Sequence, residues 1–78
     1  MTTYTHSDGS TSTVVKTGPN THSVTHSDTT VGRVRVIPTT SGREIRYRTS
    51  GEVAWVYAPS FIHAVGYLVG SPVVKTED

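Results

Sequence analysis

Hydrophobic and polar positions alternate most regularly in the middle of the chain. From Val31 to Ile37, Val34 and Val36 fall on one side and Arg33 and Arg35 on the other. A period of two is that of a strand with one face buried. Pro38-Thr39-Thr40-Ser41-Gly42 reads as a loop. Arg43 to Thr49 then returns, with Ile45 and Tyr47 on one face and Glu44, Arg46 and Arg48 on the other. Ser50-Gly51 turns the chain into Glu52 to Tyr57, where β-branched and aromatic residues again favour a strand. These three segments predict an antiparallel meander with one apolar and one basic face.

Upstream, residues 3–7 and 11–17 are expected to pair around Asp8-Gly9, a strong two-residue turn signal, and 21–27 forms a further strand after Gly18-Pro19-Asn20. Downstream, Ser60 is a helix N-cap after Ala58-Pro59, and Phe61, Val65 and Leu68 share one helical face. Gly70 and Pro72 would end that helix. Val65, Tyr67 and Val69 also alternate, so residues 60–70 fit either a helix or a strand. The fold class is mainly β. We expect a small antiparallel sheet of meander, sandwich-like or barrel-like form, a polar N-terminal β-arm and at most one short C-terminal helix.

Composition changes along the chain and sets the expected division. Of 23 Ser and Thr residues, 15 lie in residues 1–30, which hold only five apolar side chains. Residues 53–74 hold fifteen apolar side chains and no charge. The reading is an N-terminal arm or hairpin over 1–30, a β-rich core over 31–74 and a polar tail over 75–78. The uncharged stretch approaches the ~20 residues of a membrane span. Pro59, Pro72, Gly66, Gly70 and His63 argue instead for a buried strand followed by a short buried element. Thr2 to Asp8 has neither the basic start nor the apolar run of a secretory leader, so a soluble chain is expected, with its compartment unassigned. With no cysteine, disulfides and thiolate metal sites are excluded.

Charge supplies the sharpest functional signal. Residues 33–48 carry five Arg and one Glu, a balance of +4, whereas the rest of the chain sums to −3. Arg33, Arg35, Arg46 and Arg48 would stand together on one face of a β-ribbon. Guanidinium forks match phosphates and guanine edges, which points to nucleic acid. Three considerations pull the other way. A sheet needs a solvated face in any case. The pI near 8.2 is modest for a dedicated binder. No aromatic residue is expected to interleave with these Arg on their face. Docking on an acidic protein surface is a third reading of the same residues.

The remaining polar residues form no recognisable chemistry. His22 and His26 have a metal-ligand spacing on a helix, but positions four apart in a strand are separated by ~13 Å, so no metal site is expected. His63 is expected to be a hydrogen-bonded residue of the core or an interface. Thr5-His6-Ser7-Asp8 recurs as Thr25-His26-Ser27-Asp28, which composition alone can produce. There is no nucleophile elbow, phosphate-cradling loop or acid pair. We therefore expect no catalytic residues, no cofactor and no small-molecule substrate.

A core drawn from Val34, Val36, Ile45, Tyr47, Val53, Trp55, Tyr57, Phe61, Val65 and Leu68 is small for the chain. Proteins below about 70–80 residues usually need a staple, and without a disulfide or metal the remaining one is association. The leading expectation is a non-enzymatic structural or assembly protein. It would bury Trp55, Tyr57, Phe61 and Leu68 against a protein partner or another copy while its N-terminal strands drape over a neighbour. In composition the chain is similar to small virion accessory proteins such as capsid decoration or minor tail subunits, an analogy that reaches no further than composition. Nucleic-acid binding through the Arg face is the alternative.

Overall fold

The computed structural model describes residues 1–77. Seven antiparallel strands form one curled half-barrel sheet. In chain order they are β1 (Thr2–His6), β2 (Thr11–Lys16), β3 (Thr21–His26), β4 (Thr29–Thr39), β5 (Gly42–Thr49), β6 (Val56–Ala58) and, after helix α1 (Phe61–Val69), β7 (Val73–Glu77). Their spatial order is β6-β5-β4-β3-β2-β1-β7. The first six strands are a meander. The helix then carries the chain across the concave side, so that the last strand pairs beside the first.

Local chemistry places each turn. Asp8 accepts hydrogen bonds from the Ser10 backbone N–H (2.9 Å) and hydroxyl (2.6 Å), while Gly9 takes the left-handed conformation that the β1–β2 turn requires. Ser27 and Asp28 both have positive φ, the two-residue geometry that matches strand twist at the β3–β4 hairpin. Pro38 is tolerated within β4 because β3 pairs only as far as Arg35, which leaves the proline at an unpaired edge.

Residues 60–70 resolve as a helix. The Ser60 hydroxyl accepts from the His63 backbone N–H (3.2 Å), and Gly70 closes the other end with φ of 85°. Ala64, Val65 and Leu68 are buried against the concave face, where the core also contains Tyr4, Val14, Val24, Val34, Ile45 and Ala58. Gly32 lets the helix come this close, since a Cβ there would overlap the Arg48 carbonyl oxygen and Leu68 Cδ2.

Residues 1–30 contain the β1–β2 hairpin, with β3 paired beside it as part of the sheet. They build β1 to β3 at the centre and one flank of the sheet and contribute Tyr4, Val14 and Val24 to the single core. Residues 75–77, expected as tail, lie in β7; Asp78 lies outside the described residues. No helix among the described residues is long and apolar enough to cross a membrane.

The expected inward set of Val53, Trp55 and Tyr57 is also corrected. Strand pairing begins only at Val56, which lies opposite Tyr47, with Ala58 opposite Ile45. Positions 56 and 58 therefore share the inner face, and Tyr57 takes the outer one with Arg46. This is a one-residue change of parity, which exchanges the two faces completely. Val53 is 88% exposed and Tyr57 63% exposed.

Candidate functional site

The convex face of the sheet carries no second layer, and strand register fixes what stands on it. Thr21, Arg35, Arg46 and Tyr57 form one row across β3 to β6. Ser23, Arg33 and Arg48 form the next row across β3 to β5. Trp55, immediately before β6, touches both rows. The guanidinium carbon of Arg35 sits 4.1 Å from the indole centroid and that of Arg48 sits 5.0 Å from it. Both distances are those of a cation–π contact.

All four arginines of the expected basic face are thus brought together, joined by two aromatic residues. Trp55 and Tyr57 overturn the expectation that no aromatic interleaves with them. Two carboxylates lie nearby: Glu44, whose Oε1 accepts from Arg46 at 2.7 Å, and Glu52, which lines a cleft with Arg33 and Arg48 without forming an ion pair to either. Arg33, Arg35 and Arg48 have no ion pair among the described residues. A shallow cleft of about 420 Å³ lies beside the indole, walled by Thr17, Thr21, Arg33, Arg35 and Arg48. Such a face can bind successive phosphates while a base or other flat ring stacks on exposed aromatic edges.

The four apolar residues expected at a partner surface are divided by the fold. Leu68 is buried in the core, whereas Phe61 is only partly buried against it and also lines a cleft on the concave side. Trp55 and Tyr57 belong to the convex face.

His63 is hydrogen-bonded as expected but lies outside the core. It is exposed on α1, with its ring hydrogen-bonded to the Ser60 hydroxyl at 2.6 Å. His6 is buried: Nδ1 donates to the Ser71 carbonyl oxygen (2.8 Å), and Nε2 accepts from the Ser12 hydroxyl (2.7 Å). The serine–histidine pair is only 2% and 1% exposed and works as a polar crosslink joining β1, β2 and the turn after α1. The repeated Thr-His-Ser-Asp segments each end a strand in a tight turn, and His6 and His26 meet edge to face at 6.0 Å across β2. The buried Nε2 of His26 has no hydrogen-bond partner. Among the described residues no group of three His, Cys, Asp or Glu is placed to hold a metal.

Two titrations are shifted. Hydrogen bonds from the Ser10 hydroxyl and backbone N–H hold the Asp8 carboxyl below its usual value. Burial, and then the charge of Lys16, lowers the pKa of His22.

No family model matches the chain, and neither curated proteins nor solved structures yield a match.

Proposed function

We propose that this protein binds single-stranded nucleic acid on its convex face. The observation that carries this reading is Trp55 lying among the guanidiniums of Arg35 and Arg48 on a face where three arginines have no ion pair among the described residues. Arg33, Arg35 and Arg48 contact phosphates, Arg46 contributes less because Glu44 neutralises it, and Trp55 and Tyr57 offer stacking edges. Hydroxyls of Thr21 and Ser23 extend the polar track along the same rows.

Trp55 is the chain's single tryptophan, so its fluorescence reports on the site directly. Titration with oligothymidylate at low salt should quench it. The affinity should fall with salt at a log–log slope of about −2, from about −0.7 for each of three phosphates neutralised. Arg35→Ala should flatten that slope by about 0.7. Absence of quenching at low salt, or an affinity indifferent to salt, overturns the reading.

The association reading retains support from a different surface. Val56, Ile62 and Tyr67 are exposed on the open side of the half-barrel, next to a largely apolar groove lined by Tyr47, Ile62, Tyr67, Pro72 and Val73. Self-association there would act without the Arg face. Sedimentation velocity at rising micromolar concentration tests it, and a single monomeric species throughout would remove it.

A further inference from the structure

The concave side of the half-barrel opens at one end into a cleft of about 580 Å³, separated from the Arg–Trp face by the thickness of the sheet. Its walls follow from strand register. Lys16, the last residue of β2, pairs across the strands with His22 near the start of β3. The start of β5 brings Arg43 to the same opening, and the beginning of α1 lays Ser60 and Phe61 over it. Val14, Val36 and Ile45 form an apolar floor.

Two properties of this cleft point to a ligand class. First, its lining contains the cations Lys16 and Arg43 and no Asp or Glu. Both cations are exposed, and among the described residues neither has an ion pair. Second, one wall is aromatic. Phe61 meets His22 edge to face at 5.0 Å and stacks on Tyr4 at 6.4 Å with an interplanar angle of 29°. Charge of one sign at the rim, with flat apolar surface beneath it, suits a molecule that has an anionic head and an aromatic body. The positive end of the α1 dipole at Ser60 and Phe61 adds to the attraction.

We propose that this cleft binds a small aromatic anion, with its carboxylate or phosphate between Lys16 and Arg43 and its ring against Phe61. His22 sits beside the head group. Burial, and then Lys16, disfavour its charged form. A bound anion offsets the field of Lys16 and so returns the imidazole toward its ordinary titration. The charged and titratable groups that line the cleft with His22 are Lys16 on β2, Arg43 on β5, the Tyr4 phenol on β1 and the amino terminus at Met1 beside it.

The experiment is a titration followed by two-dimensional NMR with four probes: phenyl phosphate, benzoate, inorganic phosphate and benzyl alcohol. Phenyl phosphate and benzoate should shift the signals of His22 and Phe61 and raise the pH midpoint of His22, and their relative affinities decide which head group is preferred. Inorganic phosphate and benzyl alcohol, each lacking one half of the ligand, should bind more weakly. Lys16→Gln and Arg43→Gln change exposed side chains, so the fold persists. Each should weaken phenyl phosphate about tenfold, equivalent to about 1.4 kcal/mol. Trp55 fluorescence should stay constant, since the indole is on the opposite face. The proposal is overturned if benzyl alcohol or inorganic phosphate binds as tightly as phenyl phosphate, if both variants retain full affinity, or if the shifts gather around Trp55.

Discussion

Adding one methyl group at Gly32 should destabilise the fold more than its size suggests. Gly32 lies on the inner face of β4, directly opposite Thr49, with α1 above it. A Cβ there would overlap both the Arg48 carbonyl oxygen and Leu68 Cδ2. Leu68 can rotate, but the carbonyl is part of the β5 backbone and cannot move without disturbing the sheet. Overpacking of this kind costs about 1–3 kcal/mol, and the fixed carbonyl places Gly32→Ala near the upper end. The loss of chain entropy in the unfolded state returns about 0.4–1 kcal/mol. The net loss is then about 2 kcal/mol, which lowers the melting temperature of a domain this size by about 8–16 °C. Thermal and urea unfolding followed by circular dichroism would measure it. Gly18→Ala is the control, because the nearest atom to its added methyl is Thr21 Cβ at an ordinary 3.8 Å. Adding Leu68→Ala to Gly32→Ala should relieve only the overlap with the leucine. The reasoning fails if Gly32→Ala melts with the unmodified protein, or if Gly18→Ala loses as much stability.

Two further predictions concern the polar interior. Ser12→Ala removes the hydroxyl that donates to buried His6 Nε2 and should cost about 1–3 kcal/mol in urea unfolding, the penalty for an unsatisfied buried acceptor; a neutral result would mean that water replaces the hydroxyl. His22 has a folded pKa below its ordinary value of 6.5, so the unfolded chain holds this proton more tightly. The stability it contributes is therefore fully present above pH 6.5 and is lost as pH falls through that value toward the lower folded pKa. His22→Gln should make unfolding less acid-sensitive in that window than it is in the unmodified chain, and parallel stability curves would contradict the shift.

The parts of the fold legible in the sequence are those where the two faces of a strand differ in chemistry. In β4 and β5 the inner Val34, Val36 and Ile45 alternate with outer arginines, so both strands and the basic face follow from spacing. In β1 to β3 the inner positions include His6, Ser12, His22 and His26, and the outer ones are mostly Thr and Ser. Only Tyr4, Val14 and Val24 mark the core there, too few to separate a buried strand from a polar arm. Trp55 was illegible for another reason. The bulkier apolar residues Val53, Trp55 and Tyr57 all share the parity that ends outside, whereas the inner positions are only Val56 and Ala58, and the pairing that decides between them depends on where the chain rejoins β5 after Gly51. The helix was ambiguous by periodicity alone; Ser60 and Gly70 at its ends, and Gly32 beneath Leu68, are what fit a helix to that place.

A solvated sheet face and a binding face can both be rich in arginine, but they make different demands. Solvation is served by mixed charges, whereas residues 33–48 carry +4 in a chain whose remainder carries −3. Solvation also gives no reason for an indole to lie under two guanidiniums. The competing explanation is that the Arg35–Trp55–Arg48 stack holds the 51–55 segment in place. These roles separate quantitatively. An exposed cation–π contact is worth about 0.5–1 kcal/mol, so the Arg35→Gln, Arg48→Gln double variant should lose no more than about 1–2 kcal/mol of stability. If the face binds nucleic acid, the same variant should lose about 1.4 units from the log–log salt slope, because two of three phosphate contacts vanish. A larger loss of stability with an unchanged slope would assign the arginines to the fold and remove the convex face as a binding site.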